Sequence, residues 1–285
     1  MSALPKPLAS PEWLLAHAGD GDIRIVDGSW RLPGQGDARA AHDAKHIPNA
    51  VFFPIDEIAD RTSGLPHMLP EQRQFEAQVG ALGLSENDRI VVYDDQGLFS
   101  AARVWWTFRA MGHREIAVLD GGLPGWIAAG GATTDRARQP TPAIYRARSD
   151  ANLRADHEAV RRSLADGRAL VLDARPAGRF EGRDPEPRPG LLQGAMPGAR
   201  NIPSAALIAN GRLKPRRDLA AIFAAAGSDP ATPVITTCGS GVTAAILSLA
   251  LEALGRPPAR LYDGSWAEWG RLDNDRALFP VVPGA

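Results

Sequence analysis

Pro233-Val234-Ile235-Thr236-Thr237-Cys238-Gly239-Ser240-Gly241-Val242-Thr243-Ala244 carries the only cysteine of the 285-residue chain. The β-branched run 234–237 favours an extended strand. A periodic apolar stretch over 242–254 predicts a helix. Between them stand Gly239, Ser240, Gly241 and Thr243, residues that build tight loops. The reading is strand, loop, helix, with the thiol where main-chain N–H groups converge and a helix N-terminus points at it. Both features favour a thiolate and can hold an anion beside it. A lone cysteine can instead pack as a small hydrophobe, but two glycines and two hydroxyl residues so close to it favour the reactive reading.

Moving outward, the chain resembles itself. Ile90-Val91-Val92-Tyr93-Asp94-Asp95 parallels Val234-Ile235-Thr236-Thr237-Cys238, and Val118-Leu119-Asp120-Gly121-Gly122 parallels Leu261-Tyr262-Asp263-Gly264-Ser265. Ile25-Val26-Asp27 pairs with Val171-Leu172-Asp173, and Ile47-Pro48-Asn49-Ala50 with Met196-Pro197-Gly198-Ala199. Four matches in the same order indicate a duplicated domain. The spacing that aligns Asp120 with Asp263 sets Asp95 opposite Cys238, so one copy keeps a nucleophile and the other has a carboxylate in its place. Strands are expected at 23–27, 89–93, 116–120, 169–173, 234–237 and 260–263. Helices are expected at 70–82, 101–111, 157–165, 219–226 and 242–254. This alternation predicts an α/β fold of two tandem domains, each a mostly parallel sheet flanked by helices. The boundaries read as 1–135 for a non-catalytic domain, 136–150 for a linker rich in Pro, Arg and Thr, and 151–285 for the catalytic domain. Functional loops of such sheets lie at the carboxyl ends of the strands, where Cys238 falls.

A net charge of −1 gives no global attraction to nucleic acid or to an anionic membrane. One cysteine excludes an intrachain disulfide and a cysteine-rich metal site. The first residues lack the apolar segment of a signal peptide, and no apolar run reaches membrane-spanning length. A cytoplasmic, reducing location is expected for a reactive thiol. His42 and His46 have an i, i+4 spacing that could suit a metal, but no third ligand follows nearby, so they read as structural. Trp105 and Trp106 read as packing residues of a helix.

The loop Cys238-Gly239-Ser240-Gly241-Val242-Thr243-Ala244 resembles that of the 3-mercaptopyruvate sulfurtransferases, within the tandem-domain rhodanese superfamily. So do Asp27-Gly28-Ser29-Trp30, His67-Met68-Leu69-Pro70, Arg103-Val104-Trp105-Trp106, Gly178-Arg179-Phe180-Glu181-Gly182, Pro185-Glu186-Pro187-Arg188 and Asp263-Gly264-Ser265-Trp266. The likeness spans nearly the whole chain. It departs at Ala195, where this superfamily commonly has histidine. The resemblance implies that Cys238 takes sulfur from 3-mercaptopyruvate, becomes a persulfide, releases pyruvate and passes the sulfur to a thiol or cyanide. It implies no metal or organic cofactor. It places Arg179 and Arg188 at the substrate, with Gly239, Gly241, Val242 and Thr243 in the binding loop. It also suggests Ser240, His67 and Asp56 as a proton relay, although Asp56 could equally cap a turn and His67 could equally be a packed residue.

The chemistry agrees with that implication. Guanidinium forks suit the carboxylate and carbonyl oxygens of an α-keto acid. The residues after Cys238 are uncharged, which fits a monocarboxylate better than the dianion thiosulfate, the donor of the closest alternative activity, thiosulfate:cyanide sulfurtransferase. A cysteine phosphatase would need Cys-x5-Arg, and Ala244 stands at that arginine position. A non-enzymatic interaction module describes the first half, which lacks the cysteine, but not the whole chain. The expected partners are a small-molecule sulfur donor and a thiol acceptor such as a thioredoxin-like dithiol.

Overall fold

The computed structural model describes residues 3–32 and 34–282. The chain forms two compact units. The first comprises Met1–Asp60, Leu69–Asp150 and Asn210–Leu213, and the second Arg61–Met68, Ala151–Ala209 and Lys214–Ala285. Each unit holds a five-stranded parallel sheet. In the first the order is Leu8–Ala9, Ile116–Leu119, Arg89–Tyr93, Ile23–Asp27, Val51–Phe52. In the second it is Arg154–Ala155, Arg260–Tyr262, Val234–Thr237, Leu170–Asp173, Arg200–Asn201. The same order in both units is the duplication made visible.

The central strands are buried on both faces and so show no alternation of apolar and polar positions. Arg89–Tyr93 and Val234–Thr237 are buried at every position. The helix Ala244–Ala253 is buried from Ala244 through Leu251, which marks it as a core helix directly behind the cysteine loop. On the other side of the second sheet, Val171, Ile235, Tyr262, Trp266 and Trp269 form the centre of the core. Both indoles are fully buried and spend their N–H groups on carbonyls, Trp266 on Leu192 at 2.8 Å and Trp269 on Pro280 at 2.8 Å. Burying side chains of this size contributes about 2–3 kcal/mol each.

Two sequence expectations need correction. Residues 136–150 are not a free linker, because they belong to the first unit. Ala143 N–H donates to Gly80 O, Arg148 N–H to Met111 O and Asp150 N–H to Ala110 O, each at 2.8 Å. Tyr145 is buried edge-on to Phe75, with its hydroxyl 2.8 Å from His113 Nδ1. The polar composition of the segment concealed these anchors.

The second correction concerns Asp95. The strand register pairs Asp27 with Tyr93 and Asp173 with Thr237. Gly28 N–H donates to Tyr93 O as Ala174 N–H donates to Thr237 O, and Leu123 N–H donates to Asp94 O as Trp266 N–H donates to Cys238 O. Asp94, not Asp95, therefore occupies the position of Cys238. In this alignment Gly97 falls opposite Gly241, and both have positive φ, 107° and 77°. Asp94 is completely buried and turns its carboxylate into its own loop. Oδ2 accepts from the N–H groups of Phe99 at 2.7 Å and of Ser100 and Ala101 at 2.9 Å, and Oδ1 from Gln96 at 3.0 Å. Burial holds the Asp94 carboxyl above the usual carboxylate range, and these N–H groups offset only part of that rise. Asp95 instead ion-pairs with Arg31.

This difference is measurable. Asp94→Ala strands several buried donors and should cost about 2–3 kcal/mol of unfolding free energy. Asp95→Ala, which loses one partly buried ion pair at the loop edge and strands no cluster of buried N–H donors, should cost less, about 1 kcal/mol. Urea midpoints of the two variants give the order, and the reverse order would return Asp95 to the cysteine's place.

Candidate active site

The second unit repeats the loop geometry with a sulfur in place of the carboxylate. Cys238 leaves the strand Val234–Thr237 at its carboxyl end, and the loop 238–243 runs into the helix Ala244–Ala253. Thr236 Oγ1 and Ser248 Oγ, 3.0 Å apart, tie the strand to that helix. The loop is pinned from below by the short helix Ser265–Trp269. Trp266 N–H donates to Cys238 O and Ala267 N–H to Gly239 O, both at 2.9 Å. Ser265 Oγ accepts from Cys238 N–H at 3.3 Å and donates to Tyr262 O at 2.8 Å. Ser265 holds φ at +51° while fully buried, a left-handed conformation that costs about 1–3 kcal/mol and persists only where the surroundings enforce it.

Among the described residues, the N–H groups of Ser240, Thr243 and Ala244 make no backbone hydrogen bond. Their counterparts in the first unit, on Gln96, Phe99 and Ser100, are the groups that hold the Asp94 carboxylate. The same wrapped loop thus offers main-chain donors to whatever negative charge the side chain at position 238 carries. Cys238 is 2% exposed and Ser240 5%, so the thiol lies within the loop rather than on open surface.

Arg179, on the short helix Ala177–Phe180, reaches this loop. A Cβ built on Gly239 would lie 3.0 Å from Arg179 Nη2, so the guanidinium rests against the glycine face. Arg188 meets a different partner. Its Nη2 lies 3.2 Å from His67 Nε2. A guanidinium only donates, so Nε2 is the acceptor and the ring carries its proton on Nδ1. His67 is buried and sits at φ +62°, a left-handed conformation that histidine tolerates better than most residues. The structure therefore groups Cys238, Gly239, Ser240, Gly241, Val242 and Thr243 with Arg179 in the second unit, and pairs His67 with Arg188 in that same unit. Asp56 belongs to the first unit, where its Oδ2 accepts from Trp30 Nε1 at 2.9 Å. His42 and His46 are structural: His42 Nδ1 meets Asp27 Oδ2 at 2.8 Å, and His46 Nδ1 meets His42 O at 2.7 Å.

Three residues escaped the sequence reading. Arg175 is 1% exposed. Burial alone would lower its guanidinium, and Asp173 and Glu186 overcome that and hold it up. Glu186 joins Arg175 to Arg179, and Ser265 supports the cysteine's own amide. The signals were present as Asp173-x-Arg175 after a strand and as Glu186 within Pro185-Glu186-Pro187-Arg188.

Comparison with known proteins agrees with this geometry. A rhodanese-like domain is matched twice, at residues 10–129 and 156–272. The chain is 40% identical over 280 residues to 3-mercaptopyruvate sulfurtransferase of Escherichia coli, covering 95% of this chain and 96% of that protein. It is 39% identical over 274 residues to thiosulfate sulfurtransferase of Gallus gallus, covering 94% of each. The E. coli SseA structure, described with the rhodanese fold and the mechanism of 3-mercaptopyruvate sulfotransferases, superposes with a TM-score of 0.85 at 36% identity, over 92% of this chain and 99% of that one.

Gly241 should be intolerant of a side chain. Gly241→Ala forces a left-handed alanine and should cost about 1 kcal/mol of stability. It should also slow sulfur uptake by Cys238 more than tenfold, as read by stopped-flow persulfide formation, because the loop N–H groups lose their common focus.

Proposed function

The chain belongs to the rhodanese-like domain family, and from that premise we propose that Cys238 carries the sulfur in a transfer reaction whose donor is 3-mercaptopyruvate. It is a sulfurtransferase. The Cys238 thiolate attacks the sulfur of 3-mercaptopyruvate and forms the S–S bond. The carbon–sulfur bond breaks and its electron pair passes into the enolate of pyruvate. The proton that began on the substrate thiol ends on the methyl carbon, so Cys–S⁻ and the thiol give Cys–S–S⁻ and pyruvate with no added reductant. Cyanide or a thiol then attacks the outer sulfur and regenerates Cys–S⁻.

In this reading the loop N–H groups of residues 239–244 stabilise the negative sulfur, as an oxyanion hole stabilises oxygen. Arg179 and Arg188 grip the carboxylate and carbonyl of the donor. Ser240 moves the proton between substrate thiol and product carbon. His67 holds the Arg188 guanidinium in place, which its contact with that residue supports better than a role as free base. The acceptor is a small thiol or a thioredoxin-like dithiol, and the compartment is the cytoplasm, where thiols stay reduced. Among the described residues no helix is long and apolar enough to cross a membrane.

One observation carries the choice of donor. The loop has no cation of its own, and the Arg179 guanidinium is already matched by the Glu186 carboxylate. That arrangement supplies directed hydrogen bonds for a monocarboxylate rather than net positive charge for thiosulfate. Identity alone does not separate the two donors, since relatives named for each are 40% and 39% identical to this chain. Initial rates at equal donor concentration should favour 3-mercaptopyruvate over thiosulfate at least tenfold, and faster turnover of thiosulfate would reverse the choice. Cys238→Ser should stay folded, by circular dichroism, and lose transfer from both donors.

A further inference from the structure

We propose that Glu186 is the positioning residue for donor capture, acting through Arg179; the inference rests on Arg179 being a donor-binding group. The Glu186 side chain is 2% exposed and divides its two oxygens between two arginines. Oε1 accepts from Arg175 Nη1 at 2.7 Å. Oε2 accepts from Arg179 Nε at 3.1 Å and from Arg179 Nη2. Arg175 is itself immobilised. Its Nε and Nη2 lie 2.9 Å and 2.8 Å from Asp173 Oδ2, Nη2 also donates to Gly194 O at 2.9 Å, and its flat face covers the Trp266 ring at 3.9 Å. Asp173 ends a central strand and Trp266 lies in the core. Rigidity thus passes from the sheet through Asp173 and Arg175 to Glu186, and from Glu186 to the Arg179 guanidinium that rests against the cysteine loop.

The geometry leaves Arg179 one defined task. Its Nε–Nη2 edge is occupied by Glu186, while no hydrogen bond is assigned to Nη1 among the described residues. Of the five guanidinium N–H groups, the two on Nη1 and the second on Nη2 are left to address a ligand, with Nη2 the atom that lies against Gly239. The four side chains Asp173, Arg175, Glu186 and Arg179 sum to zero charge. Arg179 therefore contributes aim more than field. A purely structural Glu186, present only to neutralise buried Arg175, would not need its second oxygen on Arg179.

The two halves of the catalytic cycle separate these roles. Donor capture needs Arg179 aimed, whereas discharge of an already formed persulfide to cyanide does not. Glu186→Gln offers one carbonyl oxygen to two arginines and turns an NH₂ toward one of them. In single-turnover experiments on the full chain, persulfide formation at limiting 3-mercaptopyruvate should slow about ten- to a hundredfold, the scale of misplacing a binding group by about 1 Å. Cyanide discharge of the preloaded variant should stay within about twofold of wild type. In an Arg179→Ala background, adding Glu186→Gln should cause no further loss of capture, because the two act as one unit. If Glu186→Gln does not fold, Glu186→Asp keeps the charge but is one methylene too short to bridge both arginines, and the same selective loss is expected. Equal slowing of both half-reactions, unchanged capture, or an additive loss on top of Arg179→Ala would each overturn the proposal. Failure of wild type to load from 3-mercaptopyruvate would instead count against the choice of donor.

Discussion

Main-chain N–H groups closing on a single side chain are the constraint on which the rest depends. A strand, a glycine turn of positive φ and a helix start force several amides to face inward at once, and an inward-facing amide needs an acceptor. In the first unit the answer is a carboxylate, Asp94, which takes four of them. In the second unit the same Cα carries a thiol. The chain thus contains its own reference state: one loop whose amides are satisfied by its own carboxylate, and one whose corresponding amides on Ser240, Thr243 and Ala244 make no backbone hydrogen bond among the described residues. Support beneath the second loop is correspondingly heavy, with Ser265, Trp266 and Ala267 all bonded to the backbone of Cys238 and Gly239.

Electrostatics complete what the backbone begins. Buried arginines are costly unless paired, and here the pairing is balanced: Asp173 and Glu186 against Arg175 and Arg179. Such a group presents directional donors at the loop without a large net field. A planar keto acid can use the direction, while a compact dianion would gain more from uncompensated charge. On the proposed reading, donor choice depends on how the arginines are neutralised as much as on how many there are.

Much of this was legible in the sequence. The β-branched run before Cys238 and the apolar helix after it define the site. The repeated Asp-Gly turn at Asp120 and Asp263 betrays the duplication. The strands Ile23–Asp27, Arg89–Tyr93 and Val234–Thr237 lie where the pattern put them. Edge strands of two residues, such as Val51–Phe52 and Arg200–Asn201, are too short to show any period. The one-residue error at Asp95 arose because the Asp94-Asp95 pair gives no local cue to which carboxylate turns inward. The strand register and the hydrogen bonds of the loop decide it, and the Gly97–Gly241 correspondence follows from them. Glu186 was missed for a similar reason: its partners, Arg175 and Arg179, become neighbours only when the 170–190 segment folds back on the sheet.

The most direct test of the central claim is intact-mass analysis with peptide mapping after one equivalent of 3-mercaptopyruvate in the absence of acceptor. The expected result is one added sulfur, located on Cys238, with pyruvate released in equal amount and the added mass removed by cyanide. Pyruvate released with no sulfur on Cys238 would contradict the account.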